Sequence, residues 1–61
     1  MKLRFVNRDG FQVEIEPSQK PGKRSVMILK DRNGKMLVLD LVDDVEAQIE
    51  MLEIQGYVAM P

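Results

Sequence analysis

Apolar and polar residues alternate on both sides of the stretch NRDGF at 7–11, a pattern typical of half-buried β-strands. Asx-Arg-Asx-Gly is typical of a type I turn followed by a glycine bulge, which closes a three-residue hairpin loop. Such a loop makes Phe5 face Val13 on one side of the ribbon. On the other side it sets Arg4 against Glu14, a pair of opposite charges. The pattern therefore predicts a first hairpin that is apolar on one face only.

The stretch DRNGK at 31–35 repeats this turn and predicts a second hairpin. The same loop length sets Leu29 opposite Leu37 and Ile28 opposite Val38. A two-residue type I′ turn is the alternative, because Asn-Gly also favours that turn. In either register the second hairpin is apolar on both faces. Strands of this kind are normally covered on both faces, so a strongly curled sheet or a second subunit is expected to cover the far one.

A helical pattern follows the second hairpin. Asp43, with Glu46 three residues later, predicts a capping box at the start of the helix. Gly56 predicts its end, because glycine readily takes the left-handed conformation that closes helices. The apolar face expected against the sheet consists of Val42, Val45, Ile49 and Leu52.

A second apolar stripe lies on nearly the opposite side of this helix and consists of Ala47, Met51 and Ile54. A strip of carboxylates flanks it, formed by Glu46, Glu50 and Glu53. A helix that serves one small core needs a single apolar stripe, so the second stripe predicts a binding surface for a protein partner or a second copy of the chain. The alternatives are isolated exposed apolar residues or cover by the tail YVAMP.

These elements predict one α+β domain over residues 1–61. A four-stranded antiparallel sheet from two β-hairpins is followed by one C-terminal helix, in the order β-β-β-β-α. Tyr57 and Val58 could add a short fifth strand at the C-terminus. A chain of 61 residues without cysteine buries only about 60% of its unfolded surface and has no disulfide to stabilise it. Oligomerisation is the stabiliser most readily available, and we expect a homodimer.

The charges are unevenly distributed. Residues 1–35 hold all nine Lys and Arg against four acids, a net +5, whereas residues 36–61 hold six acids and no base, a net −6. Either the two halves neutralise each other within the fold or one of them contacts a charged macromolecule. The candidates for nucleic-acid contact are Arg8, Lys20, Lys23, Arg24 and Arg32. Few aromatic residues are available for stacking, and the net charge of −1 is unlike the strongly basic charge of nucleic-acid-binding domains.

The residues that catalysis requires are scarce. Ser18 and Ser25 are the only small hydroxyls, and the chain has no histidine to activate either. The carboxylates of Asp40, Asp43 and Asp44 lack the spacing of a calcium-binding loop, so no metal or cofactor is expected. No secretory signal or membrane span is visible. These features predict a non-enzymatic, intracellular protein, cytoplasmic and complete from Met1 to Pro61.

The sequence as a whole favours a protein-interaction or regulatory module that binds a protein partner through the two-striped acidic helix. The alternative is a small nucleic-acid-binding protein that uses the basic loop at 20–24 and the arginines at the two hairpin tips. Chains of this size are common among phage and mobile-element products, which is the origin that we expect.

Overall fold

Five antiparallel strands and one helix make up the computed structural model, which describes residues 1–61. The elements are β1 (Leu3–Val6), β2 (Gln12–Glu16), β3 (Ser25–Lys30), β4 (Met36–Val42), α1 (Val45–Ile54) and β5 (Val58–Ala59). Their order in the sheet is β4-β3-β2-β1-β5. The predicted α+β class is confirmed, and so is the short fifth strand, which pairs Val58 with Val6. The helix is not long and apolar enough to cross a membrane.

The predicted register of the first hairpin is confirmed. Phe5 lies opposite Val13, and Arg4 lies opposite Glu14. The side chain of Asn7 fixes the turn, because its Oδ1 accepts hydrogen bonds from the backbone N–H groups of the second and fourth residues after it, at 3.0 and 2.9 Å. The turn and the charge pairs thus select the same alignment of the two strands.

The predicted register of the second hairpin is wrong beyond its turn. The structure sets Leu29 opposite Val38 rather than Leu37, although Lys30 and Met36 are paired as expected. Leu37 is an extra residue, a β-bulge that lies opposite no single partner. Because strand side chains alternate between the two faces, the shift turns the rest of β4 over relative to the prediction.

The core lies between the helix and the central strands. Its buried residues are Phe5, Val13, Ile15 and Leu52, of which Ile15 is fully buried. Partly buried neighbours complete it: Leu3, Met27, Leu29, Val45, Ile49 and Tyr57. The predicted inner stripe of the helix is therefore confirmed, because Val45 and Ile49 pack against this core and Val42 is also buried.

The helix begins one residue later than predicted. Asp44 is the N-cap, and its Oδ1 accepts from the Ala47 N–H at 3.1 Å. The predicted capping box of Asp43 and Glu46 is wrong, because the Asp43 carboxylate instead pairs with the Arg24 Nε at 2.9 Å. A side chain at the N-cap satisfies a backbone donor that the first turn of the helix leaves free.

The end of the helix is as predicted. Gly56 has a φ of +94°, which places it in the left-handed region. The Tyr57 N–H then donates to the Leu52 carbonyl at 2.9 Å. This closure lets the chain reverse direction and return along β1 as β5.

Replacing Asp44 by Ala is expected to lower the free energy of unfolding by about 1 kcal/mol, because the Ala47 N–H loses its acceptor. Asp43→Ala is the matched control, since it removes a neighbouring carboxylate whose ion pair is exposed. We expect that control to change stability by less than about 0.5 kcal/mol. Urea denaturation followed by circular dichroism measures both, and a larger loss for Asp43→Ala would contradict the assignment of the cap.

Candidate protein-interaction surface

Strand β4 forms one edge of the sheet, and its apolar side chains are exposed. All residues from 36 to 41 are exposed, and only Val42 of this strand is buried. The apolar members, each between 47% and 57% exposed, are Met36, Leu37, Val38, Leu39 and Leu41. The opposite edge consists of the two-residue strand β5. The sheet therefore has one long open edge, and a long apolar edge is a ready template for pairing with another chain.

The backbone groups on this edge can be identified from the hydrogen-bonding pattern. The Asp31 N–H donates across the second turn at 2.9 Å. Alternate residues of an antiparallel strand bond the same neighbour, so Met27 also bonds toward β4, where its partner is Asp40. The backbone N–H and C=O groups of Asp40 therefore point toward β3. Its neighbours Leu39 and Leu41 present their N–H and C=O groups on the open edge.

One of these edge groups is capped from within the chain. The Asp40 Oδ1 accepts from the Leu41 N–H at 2.8 Å. This carboxylate and the bulge at Leu37 are features that limit uncontrolled pairing of an edge strand. The N–H and C=O of Leu39, midway between them, point to solvent.

An apolar patch extends from this edge across the face of the sheet that the helix does not cover. Cross-strand pairing brings together Val26, Ile28, Met36, Leu39 and Leu41, which we name the β4 patch. Leu39 lies opposite Ile28, and Leu41 lies opposite Val26. The suggested curling of the first hairpin over this region is wrong, because Leu39 is 57% exposed.

The rest of the same face carries charges around Glu14. The Lys30 Nζ lies 2.9 Å from its Oε2, the Lys2 Nζ lies 3.4 Å from its Oε1, and the Arg4 Nε lies 4.0 Å from its Oε2. These side chains leave the Glu14 side chain only 8% exposed. The hydrogen bond from Lys30 holds the pKa of Glu14 below its usual value, although burial acts to raise it. The polar half of this face is thus internally satisfied, whereas the β4 patch is not covered.

The outer stripe of the helix is also exposed. Ala47, Met51 and Ile54 are all accessible to solvent, and Ile54 is 85% exposed. The flanking carboxylates are exposed too, namely Glu46, Glu50 and Glu53. The suggested cover by the tail is wrong, because the tail forms β5 beside β1. The predicted interface residues therefore share one accessible surface on the helix.

The basic residues predicted for nucleic-acid contact are divided between two ends of the sheet. They are Arg8, Lys20, Lys23, Arg24 and Arg32. The two hairpin turns lie side by side, since a Cβ built on Gly10 would be 3.2 Å from the Arg32 Cβ. The loop between β2 and β3 lies at the other end of the strands and carries the other three. The structure thus separates these residues into two small groups rather than one basic surface.

A polar cleft of about 400 Å³ lies where the first turn meets the end of the helix. Its lining residues are Asn7, Arg8, Asp9, Ile54, Gln55 and Gly56.

The two serines lie outside this cleft, and the buried Ser25 Oγ accepts a hydrogen bond from the Ser18 N–H at 3.0 Å. This bond ties the loop to the start of β3, which gives the Ser25 hydroxyl a structural role.

The carboxylates near the start of the helix serve three different partners. Asp40 binds the Leu41 N–H, Asp43 pairs with Arg24, and Asp44 caps the helix. No group of three acidic side chains in the structure is arranged to hold a metal ion.

The sequence pattern did not predict Leu37, Leu39 and Leu41 as surface residues of a binding edge. The signal was present in the run MLVLDL, where one charge interrupts five apolar residues.

Comparisons with family models, curated proteins and solved structures found no match to this chain. Its function is therefore inferred from the geometry of these surfaces.

Proposed function

We propose that this protein is a non-enzymatic interaction or regulatory module that binds another protein chain along the edge of β4. The supporting observation is the exposure of six consecutive residues, 36–41, on a strand with no outer neighbour. Five of these residues are apolar. A cytoplasmic location and a phage or mobile-element origin stay predictions from the sequence.

An added strand would both hydrogen-bond the backbone of this edge and bury its apolar side chains. It would bond the free N–H and C=O groups of Leu39, which is the means by which peptides bind open sheet edges. It would also bury the exposed side chains of Leu39 and Leu41, and full burial of a leucine contributes about 1.5–3 kcal/mol. Backbone pairing and apolar burial together favour a protein chain as the ligand.

The outer surface of the helix is a second contact surface in this proposal. Met51 and Ile54 supply apolar contacts there, and the acidic rim suits a basic partner surface. The helix backbone is already hydrogen-bonded within the helix, so this surface offers side chains alone. The edge of β4 offers both backbone and side chains, and we therefore assign it the principal role. Nucleic-acid binding is less favoured, because the candidate basic residues lie at two ends of the sheet.

The double substitution Leu39→Lys and Leu41→Lys is expected to abolish recovery of a bound protein from an extract of the source cells. Two ammonium groups on the edge would have to be buried without partners when a strand is added. Both positions are exposed, so the fold is expected to persist, which circular dichroism verifies.

The matched control is Met51→Lys with Ile54→Lys, which adds the same charge to the outer stripe of the helix. Loss of the bound protein with this control and retention with the β4 variant would assign binding to the helix instead. Retention with both variants would contradict the proposal that either surface binds a protein.

A further inference from the structure

We infer that the chain bound at the edge of β4 is a second copy of this protein, paired antiparallel about a two-fold axis at Leu39. This inference rests on the proposed function, because it names the occupant of the same edge. It would join two five-stranded sheets into one sheet of ten strands.

The charges along β4 favour antiparallel self-pairing. Arg32 and Lys35 lie at the end where the strand begins, whereas Asp43 and Asp44 follow the end where it stops. Antiparallel pairing of two copies places the basic end of each strand beside the acidic end of the other. A parallel arrangement would place like charges together, which is unfavourable.

The register follows from the backbone and from Asp40. An axis at Asp40 would set two carboxylates directly opposite each other, which is destabilising. An axis at Leu41 would leave only a few residues paired. An axis at Leu39 makes the free N–H and C=O of the two Leu39 residues bond each other. It also places Leu41 of each copy beside the bulge at Leu37 of the other, and both of these positions are apolar and exposed.

Antiparallel pairing also brings a lysine at one end of each strand toward an aspartate at the end of the other. Lys35 precedes β4 and Asp43 follows it, so Lys35 of one copy lies at the end of the paired strands that carries Asp43 of the other. The bulge at Leu37 prevents a direct cross-strand alignment of these two residues, and long side chains span the offset. The two-fold axis generates the pair twice. Asp43 already contacts Arg24 at 2.9 Å, but its side chain is 78% exposed and accessible to a second cation. Lys35 is exposed and forms no ion pair within the chain.

The same arrangement closes after two copies. Pairing uses the long edge of each sheet and leaves the two-residue strand β5 at both outer edges. Such short edges are poor templates for further strands. The interface is isologous, which gives a dimer rather than a growing fibre. In the dimer the β4 patches of the two copies lie side by side at the centre of the sheet.

The test uses two single variants with opposite effects on charge, Lys35→Asp and Asp43→Lys. Each variant alone brings like charges together at both ends of the paired strands. We expect each to weaken self-association at least about tenfold relative to wild type, as measured by light scattering or sedimentation. Mixing the two restores opposite charges at both ends, so a heterodimer is expected to form where neither variant pairs with itself. A tag that changes the mass of one copy identifies the heterodimer by native mass spectrometry.

A wild-type protein that is monomeric at every concentration at which it stays in solution would overturn self-pairing. The proposed function would still hold if the wild type binds a different protein and the variant with Leu39→Lys and Leu41→Lys does not. A dimer that dissociates with Met51→Lys and Ile54→Lys, and not with the β4 variant, would also overturn the inference. If the mixture associates as weakly as the single variants do, the inference is also overturned, because Lys35 of one copy would not approach Asp43 of the other.

Discussion

Replacing Leu52 by Ala lowers the free energy of unfolding by about 3 kcal/mol in our expectation, the middle of the range for buried leucines. Leu52 is 3% exposed and is the buried helix residue in the core with Phe5, Val13 and Ile15. A domain of this size has a total stability of about 3–9 kcal/mol, so the change removes a large part of it. Substantial unfolding at room temperature is an expected result if the wild type lies at the lower end of that range.

Ile54→Ala is the matched control for this prediction, since it removes a similar side chain two residues further along the same helix. Ile54 is 85% exposed, so its truncation should change stability by less than about 0.5 kcal/mol. Urea denaturation measures both changes, and the edge variant Leu39→Lys with Leu41→Lys is the suitable background, because self-association would add a concentration-dependent contribution. Equal losses for the two alanine variants would contradict the assignment of one helix stripe to the core and the other to the surface.

The two stripes of the helix were predictable from the sequence because helical periodicity separates them by about half a turn. The first hairpin was predictable for a related reason. Its charged residues mark one face and its apolar residues mark the other, so a slip of one residue would have set Arg4 against an apolar residue. Only one alignment agrees with both faces, and Glu14 does lie opposite Arg4.

The register of the second hairpin was not predictable by the same reasoning. Leu37, Val38 and Leu39 are three apolar residues in succession, so close to the turn the bulge exchanges one apolar side chain for another on each face. The side-chain pattern there does not distinguish the two registers, although further along the strand the shift places Asp40 rather than Leu39 opposite Met27. The backbone of the bulge, rather than any charge pair, sets the alignment.

The start of the helix was ambiguous because Asp43 and Asp44 are both good capping residues. A contact distant in sequence distinguishes them, since Arg24 binds the Asp43 carboxylate and Asp44 caps the helix.

The exposed edge of β4 was not predicted, for a similar reason. Its exposure depends on where the helix crosses the sheet, and the helix packs on Phe5, Val13 and Ile15 of the central strands. Long-range packing of this kind is not encoded in the local pattern.

Replacing Glu14 by Gln is expected to destabilise the protein at neutral pH by about 1–3 kcal/mol, the contribution of hydrogen bonds to charged groups. The carboxylate accepts from the Lys30 Nζ at 2.9 Å and lies close to the cations of Lys2 and Arg4. Gln cannot supply the negative charge that these cations surround. The lower part of the range applies if solvent screens the partly exposed Lys2 and Arg4.

The pH dependence of this loss follows from the pKa of Glu14, which lies below its usual value of 4.5 in the folded protein. A depressed folded pKa contributes stability that is fully present above the unfolded value and is lost as pH falls through the folded value. The stability difference between wild type and Glu14→Gln should therefore be greatest above pH 4.5 and should shrink in more acidic solution.

Glu50→Gln is the matched control, because it removes the same charge from an exposed helix position. Urea denaturation across this pH range measures the difference. Equal stability of the two Gln variants at neutral pH, or a difference that persists unchanged in acid, would contradict the role of the Glu14 carboxylate in holding the polar face of the sheet together.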